Sequence, residues 1–261
     1  MARTSGPSVP PRSLRLPRPP GLVFDLDGTL IDSAGQIHAA SNIVFGNRGL
    51  PPFSHETVRG YVGNGLGVLV SRLMAHQGLE ETPALHAELA AEFVRMYEEA
   101  FDLTTLYPGV STALETLAAA DYRLGICTNK PLGPTRAVLR HFGLDPMFQS
   151  VIGGDSLPER KPHPAPLLAA IAALGGGDAL FVGDSEVDAE TARAATVPLL
   201  LFSGGYRKTP ADSLGARLVF DDYARLPVLI AGLEPELRAA SDPLPAVAGD
   251  NFRHLDDLTP P

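Results

Sequence analysis

Short apolar segments alternate with periodic segments of helical length over most of this chain, and that alternation restricts its fold more than any other feature. Residues 21–26, 122–127, 150–153, 179–182 and 198–202 read as buried strands. Segments 110–120, 133–142, 165–174 and 187–195 carry the spacing of amphipathic helices and separate the later strands. Such an order implies right-handed βαβ units and an α/β, doubly wound, Rossmann-like sheet, mostly parallel and covered on both faces. Chemistry is then sought in the loops at the carboxyl ends of the strands.

One interval breaks the alternation. Residues 33–107 form a stretch of 75 residues, whereas a βα connection is normally about 2–6 long. Helical patterns at 38–47, 66–76 and 83–101 fill it, so an inserted helical cap domain is expected at 33–107. The α/β core then comprises 21–32 and 108–233. Residues 1–20 are rich in proline and arginine and carry no apolar period, so a flexible N-terminal arm is expected. The prolines interrupt both the apolar stretch of a secretory signal and the helix of a transit peptide. Residues 234–261 mix prolines with acids and are expected to form a C-terminal tail.

Composition narrows the function classes. With 21 basic and 30 acidic side chains the formal net charge is -9, which opposes nucleic-acid binding through a general basic surface. The longest apolar runs, such as 197–202, are far too short for a bilayer. The lone Cys127 excludes an internal disulfide framework and a cysteine-rich zinc site. A soluble cytoplasmic protein is expected, a monomer or homodimer without nucleic-acid or membrane partners.

Four strand ends carry polar groups suited to phosphate. Strand one runs into Asp25-Leu26-Asp27-Gly28-Thr29, where two carboxylates two apart point the same way. Like charges so close raise one another's pKa and become tolerable beside a hard cation such as Mg²⁺. The alternative is an acidic turn with a flexible glycine. Thr128 and Asn129 follow the second strand and can donate hydrogen bonds to a phosphoryl oxygen, although alone they are only a polar loop. Lys161 is one of three lysines, with Lys130 and Lys208, against 18 arginines. Set before a proline, it suits a point charge for bound phosphate, or else a solvated loop position. His163 reads as a turn or capping residue. Asp184 ends a further strand and Asp188 lies one helical turn on, so both can face one cation or serve the helix N-terminus.

In this order, Asp25–Thr29, Thr128-Asn129, Lys161 and Gly183–Asp188 resemble the haloacid dehalogenase superfamily of phosphotransferases. The insertion at 33–107 is similar to the cap of one branch. The run Arg59-Gly60-Tyr61-Val62-Gly63-Asn64-Gly65, with Arg72, is similar to bacterial phosphoglycolate phosphatases. So are Tyr107–Val110, Thr128–Pro131 and the stretch from Val151 to Pro164. The likeness covers roughly residues 21–233. Thr196 departs from it, standing where the family commonly has glycine, and a different helix-ending turn is expected there.

The resemblance implies a Mg²⁺-dependent phosphatase. Asp25 would be the nucleophile, Asp27 the acid–base, and Lys161 catalytic, holding phosphate with Thr128 and Asn129. Asp25, the Asp27 carbonyl and Asp184 would bind the metal, with Asp188 behind them. The implied substrate is a small phosphate ester, foremost 2-phosphoglycolate, with a sugar phosphate or nucleotide as the alternative. Arg59 or Arg72 would pair with its carboxylate. Asp27 disfavours a dehalogenase, and a lysine-free cap disfavours a phosphonoacetaldehyde hydrolase. A receiver-like phospho-acceptor signalling module shares the strand-end acids but lacks the cap.

Overall fold

The structure, a computed structural model, describes residues 19–99 and 101–241. Of the arm expected at 1–20, residues 1–18 lie outside the described residues, and so does the part of the expected tail beyond 241. In chain order the elements begin with β1 (Gly21–Phe24) and β2 (Ile31–Asp32). Four helices follow: α1 (Ala34–Gly46), α2 (His55–Arg59), α3 (Leu66–His76) and α4 (Pro83–Glu99). After β3 (Thr105–Leu106) come α5 (Val110–Ala119), β4 (Arg123–Cys127), α6 (Leu132–His141) and β5 (Phe148–Ile152). The rest comprises α7 (Ala165–Ala173), β6 (Ala179–Gly183), α8 (Glu186–Ala195), β7 (Leu199–Phe202), β8 (Leu218–Phe220) and α9 (Leu226–Ser241).

Six strands form one parallel sheet in the order β5-β4-β1-β6-β7-β8. Alternation along each strand divides the core. Leu22, Phe24, Leu124, Ile126 and Val182 pack toward α5, α6 and α9, whereas Val23, Phe181, Leu199 and Leu201 pack toward α7 and α8. Each such side chain contributes about 1.5–3 kcal/mol on burial. Because β1 is central and its neighbours run parallel in register, the strand ends at Asp25, Thr128 and Asp184 emerge side by side. The chain turns outward to β4 and β5 and returns to β6, and ligands of doubly wound sheets bind at such a reversal.

The helices α1–α4 have their own core, with Ile37, Val44, Phe45, Val70, Leu73 and Phe93 buried together. They join the sheet through a two-stranded antiparallel stem, β2 with β3. Two expectations need correction. The chain does not become a tail at 234, because α9 continues to Ser241. Thr196 does end α8 in the left-handed conformation, with φ 57° and ψ 39°. An L-residue tolerates that at about 1–2 kcal/mol, so the turn is of the kind that glycine makes.

Candidate active site

β1 delivers Asp25 into the interior, 6% exposed, with its amide donating to the Val182 carbonyl at 2.8 Å. Gly28 then turns the chain at φ +88°, close under Asp184: an added Cβ would stand 2.6 Å from Asp184 Oδ2. Asp27, just before the turn, has partners of its own. Its carboxylate accepts from Ser33 Oγ at 2.5 Å and from Lys130 Nζ at 3.1 and 3.3 Å.

Behind Asp25 stands a buried ion cluster. Lys161 Nζ lies 2.8 Å from Asp25 Oδ1 and 2.7 Å from Asp188 Oδ1. Burial works against the Lys161 charge, but Asp188 and Asp25 outweigh it and hold its pKa above the ordinary lysine value. The other oxygen of Asp188 accepts from the Asp184 amide, the Ser185 amide and Ser185 Oγ, completing a capping box that opens α8. Asp188 therefore fulfils both readings at once: it caps the helix and it holds Lys161. His163 accepts from the Ala165 amide at the start of α7, a capping contact.

Asp184 accepts from Thr29 Oγ1 at 2.8 Å and the Tyr206 amide at 2.6 Å. Burial raises its pKa well above the usual carboxylate range, helped by the charges of Asp188 and Asp25. Asp25 is pushed up to about 7, first by burial and then by Asp188, with Lys161 opposing. Carboxyl oxygens of Asp25, Asp184 and Asp188 fall within 4.8 Å of one another. Asp25 Oδ1 is buried, with the Lys161 ammonium at 2.8 Å as its partner. Three crowded, desolvated carboxylates against one ammonium are an acid-rich site that fits a hard divalent cation. Asp188 is the least free of the three, since both its oxygens are engaged.

The helical layer sits closed over these groups. Asn129 Nδ2 donates to the Gly63 carbonyl at 3.1 Å and to the Lys161 carbonyl at 2.9 Å. Gly63 and Gly65, at φ +114° and +88°, bring the start of α3 against the Thr128–Lys130 loop. The cleft between them has Asp25, Asp27, Thr128, Asn129 and Lys130 on the sheet side. Ile37, Val62, Leu66, Leu69 and Tyr97 face them from the helical side.

Neither arginine expected at a substrate carboxylate lines this cleft. Arg59 donates to the Gly205 carbonyl at 2.6 Å and stacks on the Tyr206 ring, and Arg72 donates to the Tyr61 carbonyl at 3.2 Å. Both are engaged in holding backbone. Four residues that the sequence reading left without a role adjoin the site instead: Ser33, Lys130, Tyr97 and Tyr206. The Tyr206 hydroxyl accepts from the Ser33 and Ala34 amides and donates to Asp32, tying the stem to the loop under Asp184. The scarcity argument used for Lys161 applied equally to Lys130. Tyr206 follows the strand at 198–202, a fifth strand end that invited the same scrutiny.

The sequence profile of the haloacid dehalogenase-like hydrolase family matches residues 22–202. The phosphoglycolate phosphatase of Cereibacter sphaeroides strain ATCC 17029 is 48% identical over 217 residues, covering 82% of this chain and 99% of that protein. That of Rhodobacter capsulatus is 45% identical over 213 residues, covering 82% and 97%. Among solved structures, a predicted phosphoglycolate phosphatase from Haemophilus somnus 129pt superposes with a TM-score of 0.77 at 32% identity. It covers 82% of this chain and 99% of that one.

Proposed function

The chain belongs to the haloacid dehalogenase-like hydrolase family, and from that premise we propose that it hydrolyses 2-phosphoglycolate to glycolate and phosphate. The observation that carries the reading is the closed cleft. It presents Asp25 and Asp27 together, one held against Lys161 and the other against Lys130, under an apolar lid. The helical segment 33–107 acts as the cap that excludes bulk water and selects the substrate.

An Asp25 carboxylate oxygen attacks phosphorus, and the bond from phosphorus to the glycolate oxygen breaks. The Asp27 carboxyl gives its proton to that leaving oxygen. Asp27 then takes a proton from water as the water oxygen attacks the aspartyl-phosphate. The bond from phosphorus to Asp25 breaks, and inorganic phosphate leaves. Lys161, kept charged by Asp188, the Thr128 hydroxyl and the Asn129 backbone N–H stabilise the phosphoryl oxygens, while the Asn129 side-chain amide spends both its donors on the Gly63 and Lys161 carbonyls. Asp25, the Asp27 carbonyl and Asp184 would hold Mg²⁺, which would supply positive charge to offset the crowded carboxylates and the phosphate. Asp188 stays behind them, orienting Lys161 and the turn of Asp184.

Two measurements test this. In a panel of phosphate esters at fixed Mg²⁺, 2-phosphoglycolate is expected to have the highest kcat/KM. A hexose phosphate or nucleoside monophosphate turned over ten times better would move the protein to another substrate class while leaving the phosphatase chemistry in place. A long-lived phosphoprotein formed from acetyl phosphate without turnover would favour the signalling module instead. The second measurement concerns the cation. Saturating Mg²⁺ relieves the repulsion among Asp25, Asp184 and Asp188, and a ligand at a hundred times its Kd stabilises by about 2.7 kcal/mol. For a chain of this size that raises Tm by about 5–10 °C. Asp184→Asn should abolish the rise. A wild type indifferent to Mg²⁺, or a variant that still responds, would refute the metal assignment.

A further inference from the structure

We propose that Lys130 and Tyr97 form the subsite that binds the substrate's carboxylate, one group from the sheet side and one from the cap. This rests on the phosphoglycolate reading and adds a specificity site to it. Among the described residues lining the cleft, Lys130 is the one cationic side chain. Its neighbours across the cleft, Ile37, Val62, Leu66 and Leu69, have no side-chain donors. Any negative charge beyond the phosphate therefore has a single cation to meet.

Lys130 is prepared for such a partner. Its side chain is 4% exposed, and the ammonium lies over the Tyr97 ring at 4.8 Å while contacting Asp27. An ammonium carries three donors, and a single carboxylate does not exhaust them. Tyr97 supplies the second and independent observation. Its ring is buried, and its hydroxyl, also buried, has no hydrogen-bond partner. A buried hydroxyl left unpaired is unfavourable, because it gives up its bonds to water and gains none in exchange. Burial and the nearby Asp27 charge raise its pKa well above the ordinary tyrosine value, so the oxygen keeps its proton and acts as a donor. A buried donor without an acceptor, beside a buried ammonium in a cleft, calls for an anion.

A carboxylate fits better than a second phosphate. One monovalent cation and one neutral donor match one negative charge, whereas a phosphate dianion would remain half neutralised beside Asp25 and Asp27. Because Tyr97 lies on α4 of the cap and Lys130 follows β4 of the sheet, a carboxylate bound between them also bridges the two layers. Substrate recognition and cap closure then share the same contacts.

The test compares 2-phosphoglycolate with ethyl phosphate, in which a methyl group replaces the carboxylate. The wild type should strongly favour the former in kcat/KM. Tyr97→Phe keeps the ring beneath Lys130 and removes only the hydroxyl; the preference should fall about tenfold, as for loss of one hydrogen bond to a charged group. Lys130→Met should reduce it about a hundredfold or more, as for a desolvated charge pair. Lys130 also touches Asp27, so its variant slows both esters, and the ratio between them is the readout. Thermal melts establish that both variants fold. If both variants keep the wild-type ratio to within twofold while the wild type hydrolyses 2-phosphoglycolate, the subsite is wrong and the functional reading survives. If the wild type itself does not prefer 2-phosphoglycolate to ethyl phosphate, the subsite falls. If it does not hydrolyse 2-phosphoglycolate at all, both fall.

Discussion

Asp25→Asn is expected to release phosphate from 2-phosphoglycolate at least about a thousandfold more slowly than the wild type at saturating Mg²⁺. The carboxamide has nearly the shape of the carboxylate it replaces, so packing at the end of β1 is preserved. Its oxygen is a poor nucleophile, and the aspartyl-phosphate cannot form. Folding should survive, because Asp25 is a buried acid whose pKa is pushed up to about 7, and removing a desolvated charge offsets part of its lost contact with Lys161. Lys161 retains Asp188 at 2.7 Å as a counter-ion. The loss should therefore reside in kcat, with a melting temperature close to the wild type. Acid quenching during turnover of labelled substrate should trap phosphate on the wild-type protein and none on the variant. A variant that keeps a tenth of the activity, or that is labelled as strongly as the wild type, would place the nucleophile elsewhere.

Much of this arrangement was legible in the sequence, for identifiable reasons. The five strands read from it are apolar runs between turn residues, and their interiors are buried in the sheet. The sixth, β8, escaped because it has three residues and one of them, Val219, is half exposed. The core boundary expected at 233 falls inside α9, because Pro235 and its neighbouring acids imitate a tail, whereas the chain keeps helical geometry through Ser241. In the site, Asp25, Thr128 and Asp184 were legible because each ends an apolar strand and is polar where packing alone asks for nothing polar.

Tyr97 and Tyr206 were not legible by that route. Their value arises from closure, when α4 lies over the Thr128–Lys130 loop and the loop after β7 reaches the stem at Ser33. Tyr206 is 173 residues from Ser33 along the chain. Periodicity carries no information about such contacts. Arg59 and Arg72 mislead for the converse reason. An arginine near a glycine turn offers ligand donors on paper, and only the fold reveals that both hold backbone carbonyls.

Lys161→Met is expected to cost about 3–5 kcal/mol of stability, the usual consequence of removing one member of a buried ion cluster. The reason is geometric. Lys161 is 2% exposed and separates Asp25 from Asp188, so methionine would fill its volume and leave two carboxylates facing each other in the interior. Activity should fall by more than about a hundredfold in kcat, because a donor to the phosphoryl oxygens disappears. The two effects can be separated. Adding Asp188→Asn removes one of the repelling charges, so in urea denaturation the double variant should lose less stability than the two single changes summed, by about 1 kcal/mol or more. Its activity should stay low, since a neutral residue at 188 restores no charge to the phosphate. Lys161→Arg tests fit rather than charge. Guanidinium would retain the positive charge but crowd a position enclosed by both acids and the Phe181 ring at 5.4 Å, at a cost of about 1–3 kcal/mol. That variant should recover part of the stability and little of the rate. Full recovery of both would mean that any buried cation suffices at this position, and the role of Asp188 in aiming the lysine would be lost. Additive stability losses in the double variant would carry the same message, showing that Lys161 and Asp188 do not act as a unit.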